Sequence, residues 1–459
     1  MKRIGMYCLA LVSMAGCDAS SNSNENGGSG GSSATPPVNE STLTISAAAP
    51  TPILAGTLGV NYWLWAPTWG NSIAGTEERV SALSPGLLRI GGHNNDNNTP
   101  DPFDDAELDR AVVYARSIGA EPLLQVPLLA DIEGKPASAE AAAAMVAYAN
   151  VTQKYGIKYF SIGNEPDLYP DQEAGLGAFA PADYCAAVRS FVPAMRAVDP
   201  SIMLVGPDLS WKYRPSSQDW LTPILRDCGA LFDVVAVHRY PIDPAQTTIE
   251  RVSGDAARFR TDIGALRALQ TAAGYPSLPL AITETNVTYD GDPARPVLSA
   301  SPGTLAAGLW AADTLGVAIE QGLWSVAFWS VREGWTLGLI DSAGTPRAMY
   351  HSLRLVAEHQ GSSLLSVTSV KRVNAYATRD AASGVNHVNI VNWTESAERL
   401  SVHIDGLGST PSDVTFLVPA LSLAALDIPD AGTASGFVYS DAEWRANSGP
   451  APLSPVVVP

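Results

Sequence analysis

Positive charge is scarce in this 459-residue chain: 28 Lys and Arg stand against 46 Asp and Glu, for a formal net charge of −18. Nucleic acids and acidic membrane surfaces are bound through a basic footprint, so the deficit argues against both as direct partners. Long apolar runs are missing after residue 17, which excludes a spanning helix in the body of the chain. Cysteine is sparse, with only Cys8, Cys17, Cys185 and Cys228. Histidine is sparse too, and His93 has no second ligand at metal-binding spacing, so we expect no metal and no cofactor. A phosphate-cradling Gly turn is also lacking.

The N-terminus carries an address. Lys2 and Arg3 precede an apolar run from Ile4 to Met14, followed by Ala15, Gly16 and Cys17. A basic start, a short apolar stretch and small residues before a cut form a signal-peptide layout over 1–17. Met-Ala-Gly-Cys resembles a bacterial lipobox, which implies lipidation of Cys17, although Met14 stands where leucine is usual. An ordinary secretory signal is the alternative. Residues 18–42 are rich in Ser, Asn and Gly and read as a flexible linker. The expectation is an exported monomer, held at a membrane only through its lipid. Cys185 and Cys228 fall early in one helix and at the end of the next. Full-height helices would set them at different levels, so the sequence predicts two buried free thiols.

Eight short β-rich runs alternate with helix-like segments: 57–65, 87–92, 121–128, 158–163, 202–207, 232–240, 279–285 and 323–331. Near-continuous apolar strands between helices indicate a parallel sheet covered on its faces. Eight units over about 300 residues give an α/β fold, a (β/α)8 TIM barrel over 43–350. A doubly wound sheet is the alternative, but Asn61-Tyr-Trp-Leu-Trp65 is no nucleotide turn. From 351 to 459 the pattern changes to short strands broken by Gly, Ser, Asp and Pro, which predicts a C-terminal antiparallel β-sandwich. Residues 43–49 read as an extra strand of that domain. The tail 436–459 has no assignment.

Active sites of such barrels lie at the C-terminal strand ends, and those ends are polar here. Strand two runs into Arg89-Ile-Gly-Gly-His93-Asn-Asn-Asp96 and strand four into Gly163-Asn164-Glu165-Pro166-Asp167. Strand six gives His238-Arg239-Tyr240-Pro241, strand seven Thr283-Glu284-Thr-Asn286, and strand eight Trp329 and Arg332. Strands four and seven face each other across the mouth, so Glu165 and Glu284 can flank one bound group. Two carboxyls held close push their pKa values apart, one protonated and one ionised. That is the requirement for cleaving a glycosidic bond with retention. Trp63, Trp65, Trp69, Trp329 and Trp335 sit near the same end; about half of them are expected to be packing. Trp310, Trp324 and Trp393 read as core, and Asp167 and Asp208 as loop or cap residues.

Asn-Glu-Pro after the fourth strand together with Ile-Thr-Glu after the seventh resembles the clan A retaining glycoside hydrolases. The likeness covers about 45–350. It implies that Glu165 is the acid/base, Glu284 the nucleophile, and Asn164 the partner of the substrate 2-hydroxyl. It further implies that Arg89 and Tyr240 hold Glu284, that His238 is a neighbouring hydrogen-bonding group, and that Trp329 floors the −1 subsite; Trp63 is a further substrate-contact candidate. Ile162-Gly-Asn-Glu-Pro-Asp-Leu-Tyr169 is similar to family 79. Arg89-Ile-Gly-Gly-His-Asn-Asn95 and Asp233-Val-Val-Ala-Val-His-Arg-Tyr-Pro241 are similar to family 44, and less closely to family 39. The implied substrate is a carbohydrate, of β-glucuronide and glycosaminoglycan type or of β-glucan and xyloglucan type. A glucuronidase would need donors for the sugar carboxylate, and Arg239, Arg332 and His93 are placed for that. The rival functions are a non-catalytic carbohydrate-binding lipoprotein and a phosphosugar enzyme on the same barrel. Intact Glu165, Glu284, Asn164 and Arg89 count against the first, the missing phosphate turn against the second.

Overall fold

The computed structural model describes residues 38–64, 71–97, 105–129, 137–172, 178–211, 220–368, 370–406 and 414–456. The expected signal, Cys17, Trp65 and Trp69 lie outside them. Seventeen strands form two sheets among the described residues. Strands β2 (Leu58–Tyr62), β3 (Leu87–Ile90), β4 (Glu121–Val126), β5 (Tyr159–Ile162), β6 (Met203–Leu209), β7 (Val234–Arg239), β8 (Leu280–Thr285) and β9 (Ser325–Phe328) close into a parallel barrel. Each falls within or overlaps one of the eight runs read from the sequence.

Strand alternation sorts the barrel residues. Leu87, Leu123, Val205, Val234, Ala236 and Ala281 pack on one another inside the barrel. Their neighbours Leu88, Leu124, Leu204, Val235 and Ile282 join the larger core with the helices. Two steps later on the inward side the residues turn polar: Arg89, Gln125, Ser161, His238 and Thr283, all buried. The barrel is therefore greasy at the bottom and polar at the C-terminal mouth, which places a site without reference to any ligand.

The second sheet runs β14-β13-β1-β10-β11-β12-β15-β16-β17, with β1 Val38–Pro52, β10 Ser363–Val367, β11 Val373–Asp380, β12 Val385–Asn392, β13 Ala397–Asp405, β14 Val414–Val418, β15 Ser422–Pro429, β16 Ser435–Tyr439 and β17 Ala451–Leu453. It encloses a core of its own, in which Leu43, Ile45, Leu400, Phe416 and Leu426 meet. It is the expected β-sandwich domain, with one exception to antiparallel pairing: β1 runs parallel to β13. Two boundaries move. β1 begins at Val38, inside the stretch read as linker, because pairing with Ala397–Asp405 orders residues that have little apolar content of their own. The eighth barrel helix, Ala348–Glu358, crosses the expected boundary at 350. The tail contributes β16, β17 and a short helix, Asp441–Arg445, capped by Ser440 and Glu443.

The seam between the domains centres on Asp313, carried by the barrel helix Leu305–Glu320. Its carboxyl accepts from Asn374 Nδ2 at 2.7 Å, Tyr376 OH at 2.9 Å and Trp393 Nε1 at 2.7 Å. Burial pushes that carboxyl up to about 6 despite three donors. Trp310 is core as expected, with its Nε1 on Asp255.

The free-thiol expectation is overturned: Cys185 and Cys228 form a disulfide, with Cα atoms 5.6 Å apart. The helix Leu221–Cys228 has only eight residues, about 12 Å at the usual rise, and does not run the height of the barrel. Its last residue ends level with the fifth residue of the helix Pro181–Val198. Closing a loop of 43 residues stabilises by about 4 kcal/mol on the chain-entropy view.

Candidate active site

Arg89 is the hub. Its guanidinium, fully buried, donates from Nη1 to Asn61 Oδ1 at 3.1 Å and Glu284 Oε2 at 3.0 Å, and from Nη2 to Asn164 Oδ1 at 2.9 Å. Nε lies 3.4 Å from Asp208 Oδ2. One rigid fork thus joins the ends of strands β2, β3, β5, β6 and β8. A buried arginine costs several kcal/mol unless paired, and here Asp208 and Glu284 supply the countercharge.

Three carboxyls reach this hub through departures from regular backbone. Ala281 faces inward, so strict alternation would turn Glu284 outward. The pairing of β7 with β8 slips between Val237 and His238, so that His238 sits opposite Glu284 rather than Thr283. That one-residue shift re-aims Glu284 into the mouth. β6 slips likewise between Pro207 and Leu209, and Asp208, at φ +52°, points inward against Arg89. Glu165 holds φ +49°, and its N–H donates to the Asp208 carbonyl at 3.0 Å. Left-handed backbone at non-glycine residues costs of order 1 kcal/mol or more each and concentrates where function demands a direction.

The two glutamates are treated differently. Glu284 receives a donor on each oxygen: Arg89 on Oε2 and Tyr240 OH on Oε1, the latter at 2.5 Å. Burial pushes its carboxyl up, while His238, Arg89 and Tyr240 favour the charge. Glu165 meets His238, whose Nδ1 lies 3.0 Å from its Oε1. Burial drives its carboxyl up to about 7, with Arg89 and His93 only partly opposing. His238, fully buried, is pushed below the usual histidine range, chiefly by burial. One oxygen of Glu165 and one of Glu284 lie within 4.8 Å of each other. Together with His238 they could geometrically surround a cation, but the Arg89 guanidinium 3.0 Å from Glu284 repels one.

The loops around the pair are tied together. Asp96 accepts from Tyr169 OH, from Leu128 N at 2.7 Å and from Asn164 N at 3.1 Å, joining the turns after β3, β4 and β5. Asn164 turns Oδ1 to Arg89, so its Nδ2 is the group left for a ligand. Trp329 follows β9 and lies against Gly92, where a Cβ would come within 2.7 Å of the indole; φ there is +128°. Trp63 stacks on Trp329 at 5.1 Å and 11° and is itself only 3% exposed. Trp63 therefore lies behind Trp329 and has no free face of its own. Trp335 is 52% exposed, with Tyr289 also exposed on the adjoining loop.

Several sequence candidates move. Arg239 does not enter the mouth: it packs between barrel and helix, bidentate on Asp255 at 2.8 and 2.9 Å and 3.1 Å from Asp262. Period two is the reason, since His238 faces inward and its neighbour must face outward. Arg332 is spent on the carbonyls of Ser72, Asp341 and Ser342, bracing the loop after β9. His93 is exposed at the start of the short helix His93–Asn97 and contributes positive potential to Glu165. Asp167 is the loop residue expected, accepting from Ser210 N and Oγ. Asp208 is not: it belongs to the hub. Glu333 was missed altogether. Burial pushes its carboxyl up to about 7; it bonds to Trp329 and Ser330, and lies close enough to feel the charge of Glu284. Its place two residues beyond an expected strand end was the available signal.

No protein-family model matches the sequence, and no curated protein does. Solved structures do. An α-L-arabinofuranosidase from Thermotoga maritima, in complex with arabinose, superposes with TM-score 0.63 at 17% identity, over 87% of this chain and 97% of that one. A family 51 α-L-arabinofuranosidase from Bifidobacterium longum gives 0.66 at 16%, over 86% and 100%. A family 44 endoglucanase from Clostridium thermocellum gives 0.64 at 14%, over 85% and 100%. The chain has the fold of these clan A glycoside hydrolases. Family 44 is among the families its motifs resemble; family 51 was not anticipated.

Proposed function

We propose that the protein is a retaining glycoside hydrolase, with Glu165 as general acid/base and Glu284 as nucleophile. The observation that carries this reading is two carboxyls within 4.8 Å that meet different partners: Arg89 and Tyr240 donate to the two oxygens of Glu284, while His238 Nδ1 faces Glu165. Retaining enzymes hold their carboxyl groups about 5–5.5 Å apart. Glu284 attacks the anomeric carbon as Glu165 gives its proton to the leaving oxygen. Glu165, now ionised, then takes a proton from the water that releases the sugar from Glu284. Asn164 Nδ2 donates to the 2-hydroxyl, and Trp329 covers the apolar face of the ring in the −1 subsite.

The sugar is neutral on this reading, a β-glucan, xyloglucan or arabinofuranoside type rather than a β-glucuronide. Arg239 and Arg332, two of the three cations assigned to a sugar carboxylate, are engaged elsewhere. The reading also places the protein outside the cytoplasm, anchored through Cys17, and the Cys185–Cys228 disulfide suits an oxidising compartment.

A panel of aryl glucosides, xylosides, arabinofuranosides and glucuronides, with matching polysaccharides and Glu284→Gln as the blank, tests the reading. Hydrolysis of neutral glycosides with the same anomer in the first-formed product is expected. An inverted product overturns the double displacement, and preference for glucuronides overturns the charge argument.

A further inference from the structure

A second cluster of ligand-type side chains lies away from the barrel mouth. His359 directly follows the last barrel helix, Ala348–Glu358. His387 on β12 and Asp427 on β15 are direct cross-strand partners. His359 Nδ1 is 2.9 Å from both oxygens of Asp427, and His387 Nδ1 is 2.7 Å from Oδ1. One ligand atom from each of the three lies within 4.8 Å of the others. His359 is 8% exposed, its carbonyl is held by Asn389 Nδ2 at 3.0 Å, and its ring lies 5.2 Å from that of Phe437. His387 and Asp427 are half-buried, so solvent reaches one side of the group.

We propose that His359, His387 and Asp427 form a zinc site that clamps the end of the barrel to the β-domain. Two imidazoles and one carboxylate are the donor set of a borderline cation; hard calcium and magnesium want more oxygens. Both rings aim the same atom, Nδ1, at one carboxylate. The equal distances from His359 to both oxygens suit a shared cation better than a single N–H, whose proton follows one axis. On binding, each imidazole turns its Nδ1 lone pair to zinc and carries a proton on Nε2, the hydrogen that Nδ1 shared with Asp427 passing to solvent. Tetrahedral zinc sets its ligand atoms about 3.3 Å apart, so the trio opens by roughly half an ångström. Water from the exposed side completes four ligands.

The test uses tag-free, EDTA-stripped full-length protein titrated with zinc, calcium or magnesium by calorimetry and thermal unfolding. We expect one equivalent of zinc and an upward shift of a few degrees in the unfolding midpoint, with no shift from calcium or magnesium. The bound equivalent and the shift should vanish in His387→Ala and in Asp427→Asn, the second keeping the side-chain shape in case the first folds poorly. Both should persist in Glu284→Gln, which separates this site from the catalytic trio. Absence of bound zinc in the wild type overturns the proposal, as does undiminished binding in His387→Ala.

Discussion

Arg89 and Arg239 are both buried guanidiniums near the ends of barrel strands, and both are held by carboxylates. They differ in what holds them. Arg239 meets Asp255 bidentately, Asp262 beside it and the Phe259 ring at 4.5 Å, all on its own side of the sheet. Its partners all come from one regular helix, Asp255–Ala272. Arg89 meets Asp208 and Glu284, both turned toward it by slips in strand register, and Asn164 next to the left-handed Glu165. A scaffold charge is answered by backbone that stays regular. A working charge draws its partners out of register.

Four changes would break or sharpen that contrast, ranked by expected loss of turnover. Glu284→Gln removes the group Arg89 serves: no turnover is expected on any glycoside, with a near-normal unfolding midpoint. Appreciable hydrolysis would sink the nucleophile assignment. Glu165→Ala should cost about 10²–10⁴ on natural substrates and far less on activated aryl glycosides, which need no proton. Because Glu165 must be protonated to act, and burial lifts it to about 7, wild-type activity should fall as pH rises past 7. That alkaline limb should disappear with activated substrates in Glu165→Ala; its survival would move the acid role elsewhere. Arg89→Lys keeps the charge but loses the fork, and roughly a 10²–10³ drop in kcat is expected with KM little changed. A change confined to stability would make Arg89 a scaffold group like Arg239. Arg239→Met should show the reverse. It removes the bidentate partner of buried Asp255, which keeps Arg258 and Trp310, costing about 3 kcal/mol in chemical denaturation, while kcat per folded molecule stays close to wild type. A large fall in kcat would return Arg239 to the site.

The same contrast explains what could be read beforehand. The eight barrel strands were legible because buried parallel strands are continuous apolar runs, and Asn164 and Glu165 because they stand at the end of one. Arg239 was misplaced although alternation from His238 would have turned it outward. Asp208 could not be assigned, since nothing in the sequence marks a slipped register, and Glu284 was found by motif where alternation alone would have faced it to the helices. Val38–Thr42 looked like linker because its order comes from a partner strand more than 350 residues away. The disulfide was missed by granting an eight-residue helix the full height of the barrel.

The position of β1 has a consequence for how the chain is made. It lies in the interior of its sheet, between β13 and β10, with Leu43 opposite Val402 and Ile45 opposite Val367. The β-domain is thus discontinuous, and the entire barrel is an insertion within it. During synthesis the first strand emerges early and has nothing to pair with until the last quarter of the chain follows. A truncation that ends at the barrel would leave that strand with two open edges and Asp313 without Asn374, Tyr376 and Trp393. The smallest autonomous unit of this protein is therefore both domains together, closed like a clasp by a strand that is synthesised ahead of the barrel.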